Sequence, residues 1–408
     1  MKNSRLSNLR QLLRFRKITL NPKRRRLEGA LTIHDLRKVA FRTTPIGPFD
    51  YVDGAAEDEV SLSRARNAFK DIEFQPYVLR DVSQVSLKKS MLGREYSMPL
   101  GIAPIGFSRM MHTEGERAGV GAAQHYQIPF ALSTMGTTSI ENVAATGPDA
   151  SKWFQLYLWR DRDRSLELIK RAERAGFEGL ILTVDAQVAG ARLRDVRNGL
   201  TVPPSLRTKT LLNAIPRVGW WWNFLTKEPL VFASLDSWDG TVAELMNTMF
   251  DPTMTIKDLK WIRSVWGGKI LVKGIQRVDD AKDIARAGVD GVWLSNHGGR
   301  QLDRAPIPFH LIESTRRAIG KKTEIHVDTG IMHGGDVIAS LAKGADFAWI
   351  GRAYMYGLMA GGRAGVNRSL DILQTQMIRT LKLLGVSDLK ELNPKMVKTI
   401  LERNEMER

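Results

Sequence analysis

Not one of the 408 residues is cysteine, which excludes disulfides, thiolate nucleophiles and Cys-ligated zinc or iron–sulfur sites. It leaves the redox compartment open, because a chain without cysteine suits either environment. No uninterrupted apolar run approaches the roughly 18 residues that a membrane-crossing helix needs. The N-terminus also lacks the apolar middle of a secretory signal, so a cytoplasmic protein is the expectation. No Gly-x-Gly-x-x-Gly follows a strand and opens a helix, and the fingerprint of a dinucleotide-binding open sheet is missing with it. Acid is locally scarce. Residues 1–30 carry ten Lys or Arg against Glu28 alone, within a net charge of +17. This basic arm suits an anionic membrane surface or a solvated tail, with nucleic acid a distant third because no nucleic-acid motif accompanies it.

What is present is a repeated unit. From about residue 98, short apolar runs alternate with helix-length amphipathic stretches such as Arg164–Ala175 and Val278–Ala287. Eight runs read as buried strands: Pro99–Ala103, Pro129–Leu132, Trp153–Tyr157, Gly179–Val184, Lys269–Lys273, Gly291–Leu294, Glu324–Val327 and Phe347–Ile350. Near-continuous apolar strands separated by helices predict an α/β chain folded as a closed (β/α)8 TIM barrel. A doubly wound open sheet is the alternative. Residues 31–90 precede the barrel, open with a helix cap at Thr32–Asp35, and are expected to cover one end as a helical cover. A long loop insertion after strand 4, about 187–255, interrupts the repeat and carries Trp220-Trp221-Trp222. Insertions of this length serve as lids or binding surfaces. The tryptophans suit either a membrane interface or a satellite core beneath the loop. The domain is drawn as 31–395, with 396–408 as a tail.

In such barrels the chemistry gathers where strands end. Those ends bear Gln155 and Tyr157, Thr183 and Asp185, Lys273, then Ser295, His297 and Arg300, then Asp328 and Gly330, and finally Gly351 and Arg352. The run Ser295-Asn296-His297-Gly298-Gly299-Arg300-Gln301-Leu302-Asp303 is the richest. It places an imidazole and a guanidinium three residues apart on a turn whose glycines let backbone approach a ligand. His297 suits a base acting near neutrality, with Asp185 as the carboxylate that would stabilise its charged form. Arg300 and Arg192 suit a substrate carboxylate. Lys273, an ammonium on a buried strand, implies a ligand that develops negative charge. Asp328-Thr329-Gly330 and Gly351-Arg352 fall where barrels bind phosphate. A phosphorylated cofactor beside a small carboxylate substrate follows. Spacing alone leaves the cofactor unnamed.

The run from Ser295 to Asp303 resembles the signature of the FMN-dependent α-hydroxy-acid dehydrogenases and oxidases. The similarity extends from about residue 31 to 395. Asp50-Tyr51, Ala103-Pro104-Ile105-Gly106, Leu132-Ser133-Thr134, Trp153-Phe154-Gln155-Leu156-Tyr157, Thr183-Val184-Asp185 and Leu271-Val272-Lys273-Gly274 agree in order. The resemblance implies FMN held by Pro104, Ile105, Gly106, Ser133, Gln155, Thr183, Lys273 and Ser295. Asp328, Thr329, Gly330, Ile331 and Met332, with Gly351 and Arg352, would surround its ribityl chain and phosphate. Tyr51, Arg192 and Arg300 would bind the substrate carboxylate, Tyr157 its hydroxyl or keto oxygen, and His297 with Asp185 would take a proton. Catalysis would thus rest on His297, Asp185, Tyr157 and Lys273. One position departs: where the family usually has arginine, this chain has Met332, leaving backbone donors, Arg352 and His333 to neutralise the phosphate.

The activity implied is oxidation of an L-2-hydroxy acid, foremost L-lactate to pyruvate, with electrons passed to a quinone. A soluble oxidase using oxygen is the alternative, and a flavin-free basic barrel binding anionic lipid or nucleic acid the remote one. The basic arm and the tryptophans point to a peripheral protein on the inner face of the cell membrane. The family resemblance implies a homo-oligomer, a tetramer, and no nucleic-acid partner is expected.

Overall fold

The computed structural model describes residues 19–200, 208–228, 230 and 250–399. Its centre is a closed barrel of eight strands: β1 (Leu100–Ile102), β2 (Phe130–Ser133), β3 (Lys152–Leu156), β4 (Gly179–Thr183), β5 (Lys269–Ile275), β6 (Gly291–Leu294), β7 (Glu324–Val327) and β8 (Phe347–Ile350). Each strand pairs in parallel with its sequence neighbour, and β8 closes the ring on β1. Closure in sequence order sets the open-sheet alternative aside. Helices Arg162–Arg174 and Val278–Arg286 stand where the amphipathic patterns placed them.

Inward-pointing residues alternate along each strand, as the two-residue period requires. In the lower part they are large and apolar: Trp153, Ile181, Leu271, Trp293, Phe347 and Trp349 form one buried cluster. Trp293 and Trp349 stack with ring centroids 4.6 Å apart. Room for these rings comes from glycines, since a Cβ on Gly179 would lie 2.1 Å from Trp153 and one on Gly101 2.6 Å from Trp349. A hairpin of Lys89–Met91 and Arg94–Tyr96 adds Met91 and Tyr96 to this plug. Two residues further up each strand, the same inward parity delivers Ser133, Gln155, Thr183, Lys273, Ser295 and Asp328, all buried. The apolar floor therefore sets a polar upper layer at one depth.

The cover precedes the barrel: α1 (Pro22–Gly29), α2 (Ile33–Thr43), α3 (Ile46–Asp53) and α4 (Val60–Lys70). Thr32 and Asp35 cap α2 reciprocally, as their spacing predicts. Two boundaries need correction. The basic arm is not uniformly a tail, because α1 folds back and buries Leu27 against the body; residues 1–18 lie outside the described part. Nor does the fold end at 395, since Val397–Thr399 pairs antiparallel with Ile72–Phe74.

Within the insertion stand α5 (Leu193–Arg197) and α6 (Val218–Thr226). The helical period divides the three tryptophans. Trp220 and Trp221 turn toward the body, their indole N–H groups donating to the carbonyls of Met110 and Ala214 at 2.9 Å each. Trp222 is 69 % exposed. Trp220 and Trp221 are half-buried. Between β7 and β8 lies α7 (Gly334–Ala342), and after β8 α8 (Arg352–Leu384) completes the shell, broken at Gly361-Gly362.

Candidate active site

The turn after β6 begins with Ser295, whose hydroxyl accepts from the His297 N–H at 3.0 Å and from Lys273 Nζ at 3.1 Å. His297, Gly298 and Gly299 then follow with φ of 57°, 65° and 77°. That left-handed path is cheap for glycine and costly for histidine, and such strain persists where surroundings over-determine it. The surroundings do so here. Asn296 accepts from the Gly299 N–H at 3.0 Å, and Gln301 donates to the carbonyls of Asp185 and Val188. Asp303 accepts from the Ser61 N–H at 2.8 Å at the start of α4. The turn is tied to the β4 end and to the cover at once.

This fixes the imidazole. His297 Nδ1 lies 3.0 Å from Asp185 Oδ1, and Nε2 lies 3.5 Å from the Tyr157 hydroxyl. Gly274 makes room for the carboxylate: its φ is 107°, and a Cβ there would sit 2.6 Å from Asp185 Cγ. Burial opposes charge on Asp185, but His297 and Lys273 outweigh it and hold the carboxyl below the usual carboxylate range. Burial pushes the His297 imidazole down; Asp185 partly offsets this, while Lys273 and Arg300 add to it. Below neutrality, then, the ring is still unprotonated and able to accept a proton at Nε2. The sign follows: kcat/KM should be full above the His297 pKa and fall on acidification, with its half-point below 6.5. Asp185→Asn removes the one upward influence, so the acid limb should move to lower pH while the plateau drops about a hundred-fold. A pH profile of kcat/KM checks both, and an unmoved limb would contradict the pairing.

Opposite the histidine, Arg300 lies over the Tyr51 ring at 4.5 Å and Arg192 over the same ring at 5.8 Å. Arg300 also donates to the Tyr51 carbonyl. Burial, with Arg192 adding to it, brings the Arg300 guanidinium down to about 10. Two cations crowded so closely favour an anionic ligand. Asp195, on α5, holds Arg192 at 2.9 Å. Phe107, Met135 and Phe250 line the same cavity, Phe250 edge-on to Tyr157 and Phe107 edge-on to Tyr51.

The cavity measures about 430 Å³ and runs from Tyr51 and His297 past Pro104, Ile105 and Gly106 to Gly330, Ile331 and Met332. Ser133 donates to Gln155 Oε1 at 2.9 Å and Gln155 Nε2 donates to Thr183 at 3.0 Å, a fixed polar row. Lys273 Nζ stands 3.6 Å from Asp328 Oδ2. At the far end the expected phosphate partners make bonds within the protein. The Arg352 guanidinium donates to the carbonyls of Val52, Gly298 and Gly54 at 2.7–2.9 Å. The Met332 N–H donates to Asp336, and His333 caps α7 through Nδ1. These bonds clamp loops together, while Arg352 and Met332 still line the cavity. Arg66 of α4, which the sequence did not single out, brings a guanidinium to this end: it donates to the Gly330 carbonyl and pairs with Asp336 at 2.9 Å. A buried ammonium, a row of amide and hydroxyl groups, and a cation at the other end fit a flat heteroaromatic ring with an anionic tail.

A model of the FMN-dependent dehydrogenases matches residues 40–399. The chain belongs to that family. It is 57 % identical over 393 residues to a Mycobacterium tuberculosis protein named "Putative L-lactate dehydrogenase", covering 96 % of this chain and 95 % of the relative. A human relative, 2-hydroxyacid oxidase 1, is 34 % identical, with 91 % and 97 % covered. Among solved structures, a monotopic membrane protein, (S)-mandelate dehydrogenase, superposes with a TM-score of 0.87 at 35 % identity, covering 91 % of this chain and all of that one. The cofactor is therefore FMN, which the cavity's polar row and cations suit. When bound, FMN supplies the two-electron acceptor.

Proposed function

We propose that this FMN-dependent dehydrogenase oxidises an L-2-hydroxy acid, foremost L-lactate to pyruvate. The observation that carries the reading is the pairing of His297 with Asp185 on one side of the cavity and the Arg300–Tyr51–Arg192 stack on the other. The arginines would hold the carboxylate, Tyr157 would donate to the substrate oxygen, and His297 Nε2 would take the proton. The resulting imidazolium is stabilised by Asp185. Lys273, Ser133, Gln155, Thr183, Ser295 and the Pro104–Gly106 backbone would hold the ring system, with Asp328–Met332, Gly351, Arg352 and Arg66 toward the tail. Phe107, Met135 and Phe250 crowd the substrate end and support a short side chain. The names of the relatives point to the same class of acid.

For the acceptor we favour a membrane quinone over oxygen, with the protein peripheral on the inner face of the cell membrane. Among the described residues no helix is long and apolar enough to cross a membrane. Val218, Trp222 and Leu225 nonetheless form an exposed apolar stripe on α6, and the cytoplasmic leaflet attracts basic segments. Anaerobic mixing with L-lactate, D-lactate, glycolate and (S)-mandelate tests both parts by bleaching of the flavin absorbance. L-lactate should bleach it fastest and D-lactate not at all, with reoxidation faster by a short-chain quinone than by oxygen. Equal bleaching by both lactates would overturn the substrate assignment. Peroxide release at the rate of turnover would make the protein an oxidase instead.

A further inference from the structure

Phe250 reaches the cavity from the insertion rather than from a barrel strand. The residue after it, Asp251, is buried. Its Oδ2 accepts from the Arg162 guanidinium at 2.9 Å, and its Oδ1 accepts from the Thr253 N–H at 2.9 Å and hydroxyl at 2.6 Å. The second arm of the Arg162 fork donates to Asp258 at 2.8 Å, in the first turn of the helix Lys257–Val265. The same guanidinium donates to the Trp159 carbonyl. Arg162 itself opens the helix Arg162–Arg174, shortly after Tyr157. One side chain thus ties the segment after β3 to the segment by which the insertion returns to the barrel.

The tie bears unequally on the two rings that meet there. Tyr157 has an anchor of its own, its N–H donating to the Thr134 hydroxyl at 3.1 Å. Phe250 lies edge-on to Tyr157 with ring centroids 5.5 Å apart, one peptide bond from Asp251. A carboxylate stays buried only beside a counter-charge. Arg160, 3.8 Å away on an exposed side chain, is a poor substitute for the Arg162 fork. Without that fork Asp251 would turn toward water and draw Phe250 away from Tyr157. We infer that Arg162 is a positioning residue that sets substrate specificity: by holding Asp251 it keeps the Phe250 ring where a longer substrate side chain would have to go. This rests on the short-chain hydroxy-acid reading above and adds the residue that enforces it.

The test uses FMN-loaded full-length enzyme and compares kcat/KM for L-2-hydroxyhexanoate with that for L-lactate. In R162Q this ratio should rise by at least about ten-fold, the lower end of what one methylene group decides in an apolar pocket. For L-lactate the change should fall on KM, with kcat within about three-fold, because His297, Asp185 and Tyr157 keep their own partners. F250A should raise the ratio too, and adding R162Q to it should change the ratio by less than about two-fold, since residues acting through one contact are not additive. D251A cuts the same tie from the other side without stranding a charge, and should raise the ratio even if R162Q does not fold. R171Q, which breaks the 2.9 Å pair with Glu141 on the same helix, should leave the ratio within about two-fold. An unchanged ratio in D251A, full additivity of R162Q with F250A, or an equal rise in R171Q would each overturn the role of Arg162. Wild-type enzyme that oxidises neither acid would overturn the hydroxy-acid reading itself.

Discussion

Replacing His297 with alanine is expected to lower kcat for L-lactate by about 10³- to 10⁴-fold while leaving FMN bound, the range that a positioned base contributes. The size of the loss follows from the lack of a substitute. Of the carboxylates lining the cavity, Asp328 faces Lys273 at 3.6 Å and Asp53 is held by Arg37 at 2.5 Å. Asp185 stands behind the ring it supports, its Oδ2 buried without a partner. His34 belongs to α2 rather than to the β6 turn. The polar row Ser133–Gln155–Thr183 makes no bond to His297, which is why the flavin should stay. Anaerobic reduction followed in a stopped-flow instrument, beside the absorbance of the purified variant, reads both quantities. A rate within ten-fold of wild type would refute the assignment.

Arg300→Met should be nearly as damaging, lowering kcat/KM by 10² to 10⁴, as expected for truncating one partner of a desolvated charge pair. The side chain is half-buried, lies on Tyr51 and has Arg192 as its neighbour, so a bound carboxylate is its natural counter-charge. Arg192 cannot take over the whole task, because its Nε is committed to Asp195. Arg300→Lys should recover only part of the loss: an ammonium restores charge but not the planar fork. The dissociation constant of a non-reacting dicarboxylate such as oxalate, read from the flavin spectrum, should rise in parallel. An unchanged constant with an unchanged kcat/KM would remove Arg300 from the substrate.

The strands and their ends were legible because buried parallel strands are continuous apolar runs, and barrel chemistry collects at one end of them. That logic marks out His297, Asp185, Lys273 and Arg300, which the fold brings to one end of the barrel. Arg66 escaped it. It sits on a cover helix more than 260 positions from its partners Gly330 and Asp336, and nothing local marks it as reaching the cavity. Phe250 escaped because it closes an insertion with no strand pattern. The engagement of Arg352 was invisible for a different reason: its partners are backbone carbonyls, which every residue possesses. The division of Trp220, Trp221 and Trp222 was within reach. At 100° per residue a helix must place the first and third on opposite sides, had the segment been taken for a helix.

The tryptophans inside the barrel have a consequence for traffic. Among the described residues, Trp153, Trp293 and Trp349 fill the bore and Tyr96 and Met91 stop its lower end. Hydroxy acid and keto acid are therefore expected to pass by the cavity end that Tyr51, Phe107 and Phe250 line. The aromatic floor thus does more than hold eight strands together: it turns traffic toward the end where the chemistry is.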